Sequence, residues 1–345
     1  MEYNYDSPPQ GFAQNGGGNF YGSQNDKGEA YRRLTALKWQ IRTFGIYAGA
    51  SFLLYTLLSN VASTVLSILG VYKSILSNPY YSCLFEMIAS VLFMGVPFLI
   101  FGVLASKKFG GCDFAPLEKP NDGVLAVLSV PMALGWCMAA NILTGYIISI
   151  MSLFGMELSQ PSLPEMSGAT GLILNIIRVS VLAPIIEEVT IRGCIMQPLR
   201  RYSEKFAIVI SACVFGLIHG NLVQAPFAFL VGLMLGYICI KTDSLWPSII
   251  VHSLNNSISL MFSQMSSYMT TEKVNLIYSA FVAAKFITAI VAGLLFMSRA
   301  RKTARPLGGG CPLSGGQKAS AYVLNPTVIA SLIIIAFITA VYIKF

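Results

Sequence analysis

Apolar runs long enough to cross a lipid bilayer recur along this chain, and nothing else about it constrains the fold as much. About 20 apolar residues in a helix span a hydrocarbon core roughly 30 Å thick. About nine runs approach that length, over residues 44–70, 83–105, 123–155, 171–199, 206–221, 224–240, 246–263, 276–298 and 326–343. In lipid every backbone polar group must be satisfied internally. The expectation is therefore an all-α fold, a polytopic membrane helix bundle of about eight to nine transmembrane helices. The third and fourth runs are longer than needed and should tilt or kink. The fifth is short, which suits a helix ending at a cavity within the protein. A mean hydropathy of +0.66 argues against a soluble domain with a large core.

A net charge of +8 could point to nucleic acid, but its distribution points to topology and not to a nucleic-acid partner. Arg32, Arg33, Lys38 and Arg42 precede the first run. Lys107 and Lys108 follow the second, Arg200, Arg201 and Lys205 the fourth, Lys241 the sixth, and Arg299, Arg301, Lys302 and Arg305 the eighth. With the N-terminus cytoplasmic, all these clusters fall on the cytoplasmic side. The loop after the third run carries Glu157 and Glu165 without Lys or Arg, as an outer loop should. The expected location is an integral, multipass position in the membrane, the plasma membrane if the cell is prokaryotic, with the C-terminus outside.

The polar segments read as follows. Residues 1–30 are rich in Gly, Asn, Gln, Ser and Tyr and suggest a disordered tail without a secretory h-region. Residues 299–324 are basic, then glycine-rich; with no closing Lys-Ser/Thr pair they read as a flexible cytoplasmic loop rather than a phosphate loop. The expected organisation is a polar tail over 1–40, transmembrane helices over 41–165, a chemistry-bearing core over 166–265, and transmembrane helices with the basic loop over 266–345. Seven scattered cysteines without a Cys-x-x-Cys pair support neither a disulfide framework nor a zinc finger.

Against this apolar background the ionisable groups stand out, since they are costly at membrane depth and mark functional sites there. Both histidines of the chain, His219 and His252, sit in apolar runs. A third run carries Glu187-Glu188 with Arg192 close behind. On a helix Glu188 and Arg192 share a face, and Glu187 is rotated by about 100° from Glu188. The spacing suggests that Arg192 holds Glu188, either in the site or as a plain structural ion pair. Glu187 would face another wall, where an uncompensated carboxylate can act as a general base. Pro184 removes a helix hydrogen bond and frees a carbonyl nearby. Phe215 and His219 share a helix face, as do His252 and Asn256. The latter two can aim paired donors at one point, as an oxyanion hole requires. With a rise of 1.5 Å per residue, Glu187, His219 and Asn256 lie roughly 18, 20 and 16 Å from the inner ends of their runs, and His252 roughly 10 Å. A base, a water-positioning group and paired donors suit hydrolysis of an acyl bond by activated water. Two histidines and a glutamate (His219, His252, Glu187) could instead complete a zinc site, although neither histidine belongs to a His-Glu-x-x-His helix.

In order, Glu187-Glu188-x-x-x-Arg192, Phe215-x-x-x-His219 and His252-x-x-x-Asn256 resemble the signature of the CPBP intramembrane proteases. This is the family of CAAX prenyl proteases and bacteriocin-processing enzymes, also called Abi. The resemblance covers residues 171–263 and departs at no motif position. It implies that Glu187 and His219 bind and activate the attacking water, that His252 and Asn256 stabilise the oxyanion, and that Glu188, Arg192 and Phe215 support the site. The family is often labelled metalloprotease, and a glutamate-activated, metal-free mechanism has also been advanced for it. No cofactor is favoured here and zinc stays open. The expected partners are the bilayer and a membrane-associated peptide or protein substrate, prenylated or of bacteriocin type. The competing readings are a proton-coupled transporter, which needs a continuous polar path through the membrane, and an immunity factor of the same fold without turnover.

Overall fold

The computed structural model describes residues 24–109, 117–161, 166, 168–265, 268–303, 307–308 and 311–344. Its helices in chain order are α1 (Gln24–Ile68), α2 (Tyr72–Ser77), α3 (Pro79–Phe109), α4 (Gly123–Leu153), α5 (Gly168–Arg200) and α6 (Glu204–Leu217). They continue with α7 (Ala225–Thr242), α8 (Trp246–Met265), α9 (Thr271–Thr303), α10 (Gly315–Val323) and α11 (Pro326–Val341). Two short strands, β1 (Glu157–Leu158) and β2 (Ile343–Lys344), pair antiparallel. The fold is an all-α polytopic bundle.

Six helices, α1, α3, α4, α5, α7 and α9, are long and apolar enough to cross a membrane, or seven if α10 and α11, bent by 77°, count as one span. Three of the nine apolar runs fall short of this length and hydropathy as single helices, for separable reasons. The run at 206–221 becomes α6, which stops at Leu217 after 14 residues. The run at 246–263 becomes α8, long enough at 20 residues but diluted by His252, Asn255, Asn256 and several serines. The run at 326–343 becomes α11, only 16 residues long.

Two polar segments also differ from expectation. Helix α1 already begins at Gln24, so the tail reading fails over residues 24–40; residues 1–23 lie outside the described part. Leu34 and Leu37, one turn apart, pack against the core and fix that first stretch. The expected flexible loop after α9 is partly docked. Gly308 N–H donates to Glu204 Oε2 at 2.7 Å, Leu313 is buried, and α10 starts with a Ser314/Gln317 capping box. Residues 304–306 and 309–310 are outside the described part.

Close backbone approach brings the two ends of the chain together. A Cβ at Gly45 would sit 2.3 Å from the Tyr322 carbonyl oxygen, and one at Gly49 would sit 2.6 Å from Thr327. This small-xxx-small pair lets α1 lie against α10 and α11, where the Ser331 hydroxyl donates to the Gly49 carbonyl at 3.2 Å. The ladder between β1 and β2 puts the end of α4 and the chain end after α11 on one side of the bundle. At the opposite end, Trp246 Nε1 donates to the Leu117 carbonyl at 2.7 Å and Ser244 to the Glu118 carbonyl at 2.8 Å. Asp122 closes this end. It caps α4 through Leu125 N–H at 3.0 Å and accepts from Arg299 Nε of α9 at 2.7 Å. Arg299 in particular, helped by the Leu125 N–H, holds the Asp122 carboxyl down at about 2.

A depressed carboxylate stabilises the fold above its unfolded-state value and loses that contribution as pH falls through the folded one. Asp122→Asn should lower the thermal midpoint at neutral pH. The gap from the unchanged protein should hold down to the ordinary Asp value of 3.8 and close as pH approaches about 2, read by thermal scans in detergent.

Candidate active site

The long helix α5 carries the carboxylates. It is not α-helical throughout: Ile176–Leu182 and Val189–Met196 are wound as π-helix, with the α-helical turns Ala183–Glu188 between them. Single π turns of this kind often accompany functional sites. They rotate side chains away from their straight-helix directions, so the facing of Glu187 and Glu188 depends on them.

Glu188 and Arg192 are both 0% exposed. Arg192 Nη1 donates to Glu188 Oε1 at 2.9 Å, Nη2 to the Gly232 carbonyl of α7 at 3.3 Å, and the guanidinium lies 4.4 Å from the centre of the Phe215 ring. Gly232 makes room for this arrangement: a Cβ there would be 3.0 Å from Ala212 Cα on α6 and 3.4 Å from Arg192 Nη2. The same Glu188 Oε1 accepts from His252 Nδ1 of α8 at 3.0 Å. His252 Nε2 then faces Glu187 Oε2 at 3.7 Å, longer than a direct hydrogen bond. Glu187 is the more open carboxylate, with a side chain 22% exposed. The two glutamates therefore meet different partners, one sealed in the bundle and one beside an accessible gap.

His219 does not sit on a continuing helix. α6 ends at Leu217, and Gly220, with φ of 62°, turns the chain toward α7. The His219 ring folds back on its own helix end, and its Nδ1–H donates to the Phe215 carbonyl at 2.8 Å. A carbonyl can only accept, so this contact puts the hydrogen on Nδ1 and leaves Nε2 as an acceptor. Asn221 secures the turn by donating to the His219 carbonyl at 2.9 Å and accepting from Gln224 N–H at 2.9 Å. Phe215 is the common wall, with its ring centre 5.2 Å from His219 and 5.6 Å from His252, edge-on to both. Asn256, one turn beyond His252 on α8, donates to the Val179 carbonyl of α5 at 3.0 Å.

Glu187, Glu188, Arg192, Phe215 and His252 thus touch in one chain of contacts, with His219 joined through Phe215 and Asn256 through α8. Among the described residues no hydrogen bond or ion pair joins His219 to Glu187. Tyr55 of α1, which the sequence did not single out, is close enough for the Glu187 charge to act on its phenol. One tyrosine among 16 in an apolar run carries no signal of that kind. Arg178 of α5 pairs with Glu86 of α3. Among the described residues no three His, Cys, Asp or Glu side chains gather at metal-ligand spacing. As arranged, His219, His252 and Glu187 do not fit a zinc site.

Residues 169–258 match the family model described as Type II CAAX prenyl endopeptidase Rce1-like. Over this stretch the chain is similar to the CAAX protease family. No curated protein and no solved structure matches the chain. The matched stretch runs from the start of α5 into α8 and contains every contact of the cluster described above. The family is one of intramembrane proteases, in keeping with the multipass bundle.

Removing one partner of a buried ion pair leaves the other charge unpaired, at a cost of about 3–5 kcal/mol. Arg192→Leu is expected to destabilise the helical core by about that much in chemical unfolding in detergent. An effect under about 1 kcal/mol would mean the pair is solvated in the membrane-embedded protein.

Proposed function

We propose that the chain is an intramembrane endopeptidase. It hydrolyses a peptide bond of a membrane-associated substrate, a prenylated or bacteriocin-type peptide, with a water activated by Glu187. The observation that carries this reading is the gap between Glu187 Oε2 and His252 Nε2, 3.7 Å wide, whose histidine side is fixed by Glu188. Two groups able to exchange protons face each other there without bonding directly, and such contacts tighten when substrate enters.

The proton count is simple. Arg192 and Glu188 cancel. One proton held between His252 and Glu187 makes the four groups neutral as a set, the arrangement least penalised in a low-dielectric interior. With that proton on His252, the Glu187 carboxylate takes a proton from water, and the resulting hydroxide attacks the carbonyl carbon of the scissile bond. His219 Nε2 accepts from the water's other hydrogen and orients it. His252 Nε2–H donates to the developing oxyanion. Collapse breaks the C–N bond, and the proton on Glu187 passes to the leaving amine, restoring the carboxylate. No step needs a metal.

Glu187→Gln should reduce cleavage of a lipidated peptide by purified, detergent-solubilised protein by at least about 10²-fold, with an unchanged thermal midpoint. Retained cleavage would reject Glu187 as the base. Activity is also expected to survive prolonged treatment with a strong chelator. A stoichiometric, chelator-removable metal whose loss abolishes turnover would reject the metal-free route.

A further inference from the structure

We propose that Asn256 is a positioning residue, holding the Val179 carbonyl that Pro184 leaves without a donor and so fixing the π-wound part of α5 that leads to Glu187. This rests on the reading of Glu187 as the base. The argument starts from the winding of α5. Through Ile176–Leu182 the helix is in π register, and at its end Ala183 N–H donates to the Arg178 carbonyl, five residues back. The next bond in that register would run from residue 184 to the Val179 carbonyl. Residue 184 is proline and has no N–H to give. The Val179 carbonyl is met instead by Asn256 Nδ2 at 3.0 Å, from α8. In a membrane-embedded bundle a carbonyl without a donor is costly, so side chains of neighbouring helices commonly take over where proline interrupts the ladder.

The geometry gives this bond leverage. Pro184 lies three residues before Glu187, and Asn256 lies four residues after His252. α8 is thus fastened to α5 at two places, by His252 on Glu188 and by Asn256 on Val179. Two fasteners, about one turn apart on α8 and about two and a half turns apart on α5, fix the rotation of one helix on the other, and one does not. The family resemblance implies Asn256 as a donor to the substrate's oxyanion. Here one of its two amide hydrogens is committed to the protein's own backbone, a role separate from any donation to the oxyanion.

The test is a double-mutant cycle of Asn256→Ala and Pro184→Ala, since alanine at 184 restores an N–H that can serve Val179. Turnover of a lipidated peptide and the thermal midpoint are read for all four proteins. Asn256→Ala alone should lower kcat by about 10- to 100-fold with little change in KM, the size of effect a misplaced catalytic group produces. It should also lower the midpoint. In the P184A background the same change should cost less than about threefold in kcat and leave the midpoint unmoved. Equal losses of kcat in both backgrounds would overturn the proposal and return Asn256 to the substrate. If P184A is itself inactive, the midpoints decide alone: a non-additive cycle supports the proposal and an additive one overturns it. The comparison is internal to the cycle, so its failure is separable from a failure of Glu187 as base, which Glu187→Gln reads on its own.

Discussion

The site depends on one carboxylate sealed inside the bundle. Glu188 is 0% exposed and accepts at a single oxygen from both Arg192 and His252. Its Oε2 has no hydrogen-bond partner among the described residues, so the two donors at Oε1 carry the compensation of this buried charge, and removing either leaves it stranded. The arrangement therefore does two things at once. It ties α8 to α5, and it decides which nitrogen of His252 is turned inward and which faces Glu187. Stability and chemistry rest on the same hydrogen bonds, so substitutions here need a stability measurement beside every activity measurement.

Much of this was legible in the sequence, for identifiable reasons. The Glu188–Arg192 pair follows from a spacing of four on a helix, and the separate environments of Glu187 and Glu188 follow from the turn between adjacent residues. Pro184 announced a freed carbonyl because proline always lacks an N–H. The all-α bundle followed from apolar run length. The identity of the carbonyl and of its donor was not legible. Both depend on the π winding of α5, which no local pattern in Ile176–Leu182 or Val189–Met196 declares. Phe215 beside His219 followed from a spacing of four, but its contacts with Arg192 and His252 were hidden, because ring contacts across helices leave no trace in spacing.

The misreadings share a cause. Counting apolar runs treats every run as a span, yet α6 stops at Leu217 because Gly220 turns the chain, and α11 ends at Val341, where the chain passes into β2. The glycine-rich stretch was read from composition as a flexible loop. Composition does not see Glu204, whose carboxylate accepts Gly308 N–H at 2.7 Å and gives that stretch a dock. Gly45 and Gly49 passed unnoticed in α1, although close packing against the C-terminal helices requires them.

The central claim is that Glu188 sets the state of His252, and the chain's two histidines make it directly measurable. Solid-state nitrogen NMR of histidine-labelled protein in lipid should show two imidazoles, both with hydrogen on Nδ1, assigned by a His219→Gln variant. Glu188→Gln should then move the Nδ1 signal of His252 and leave that of His219 in place. A His252 ring that carries its only hydrogen on Nε2, or that does not respond to Glu188→Gln, would contradict the account.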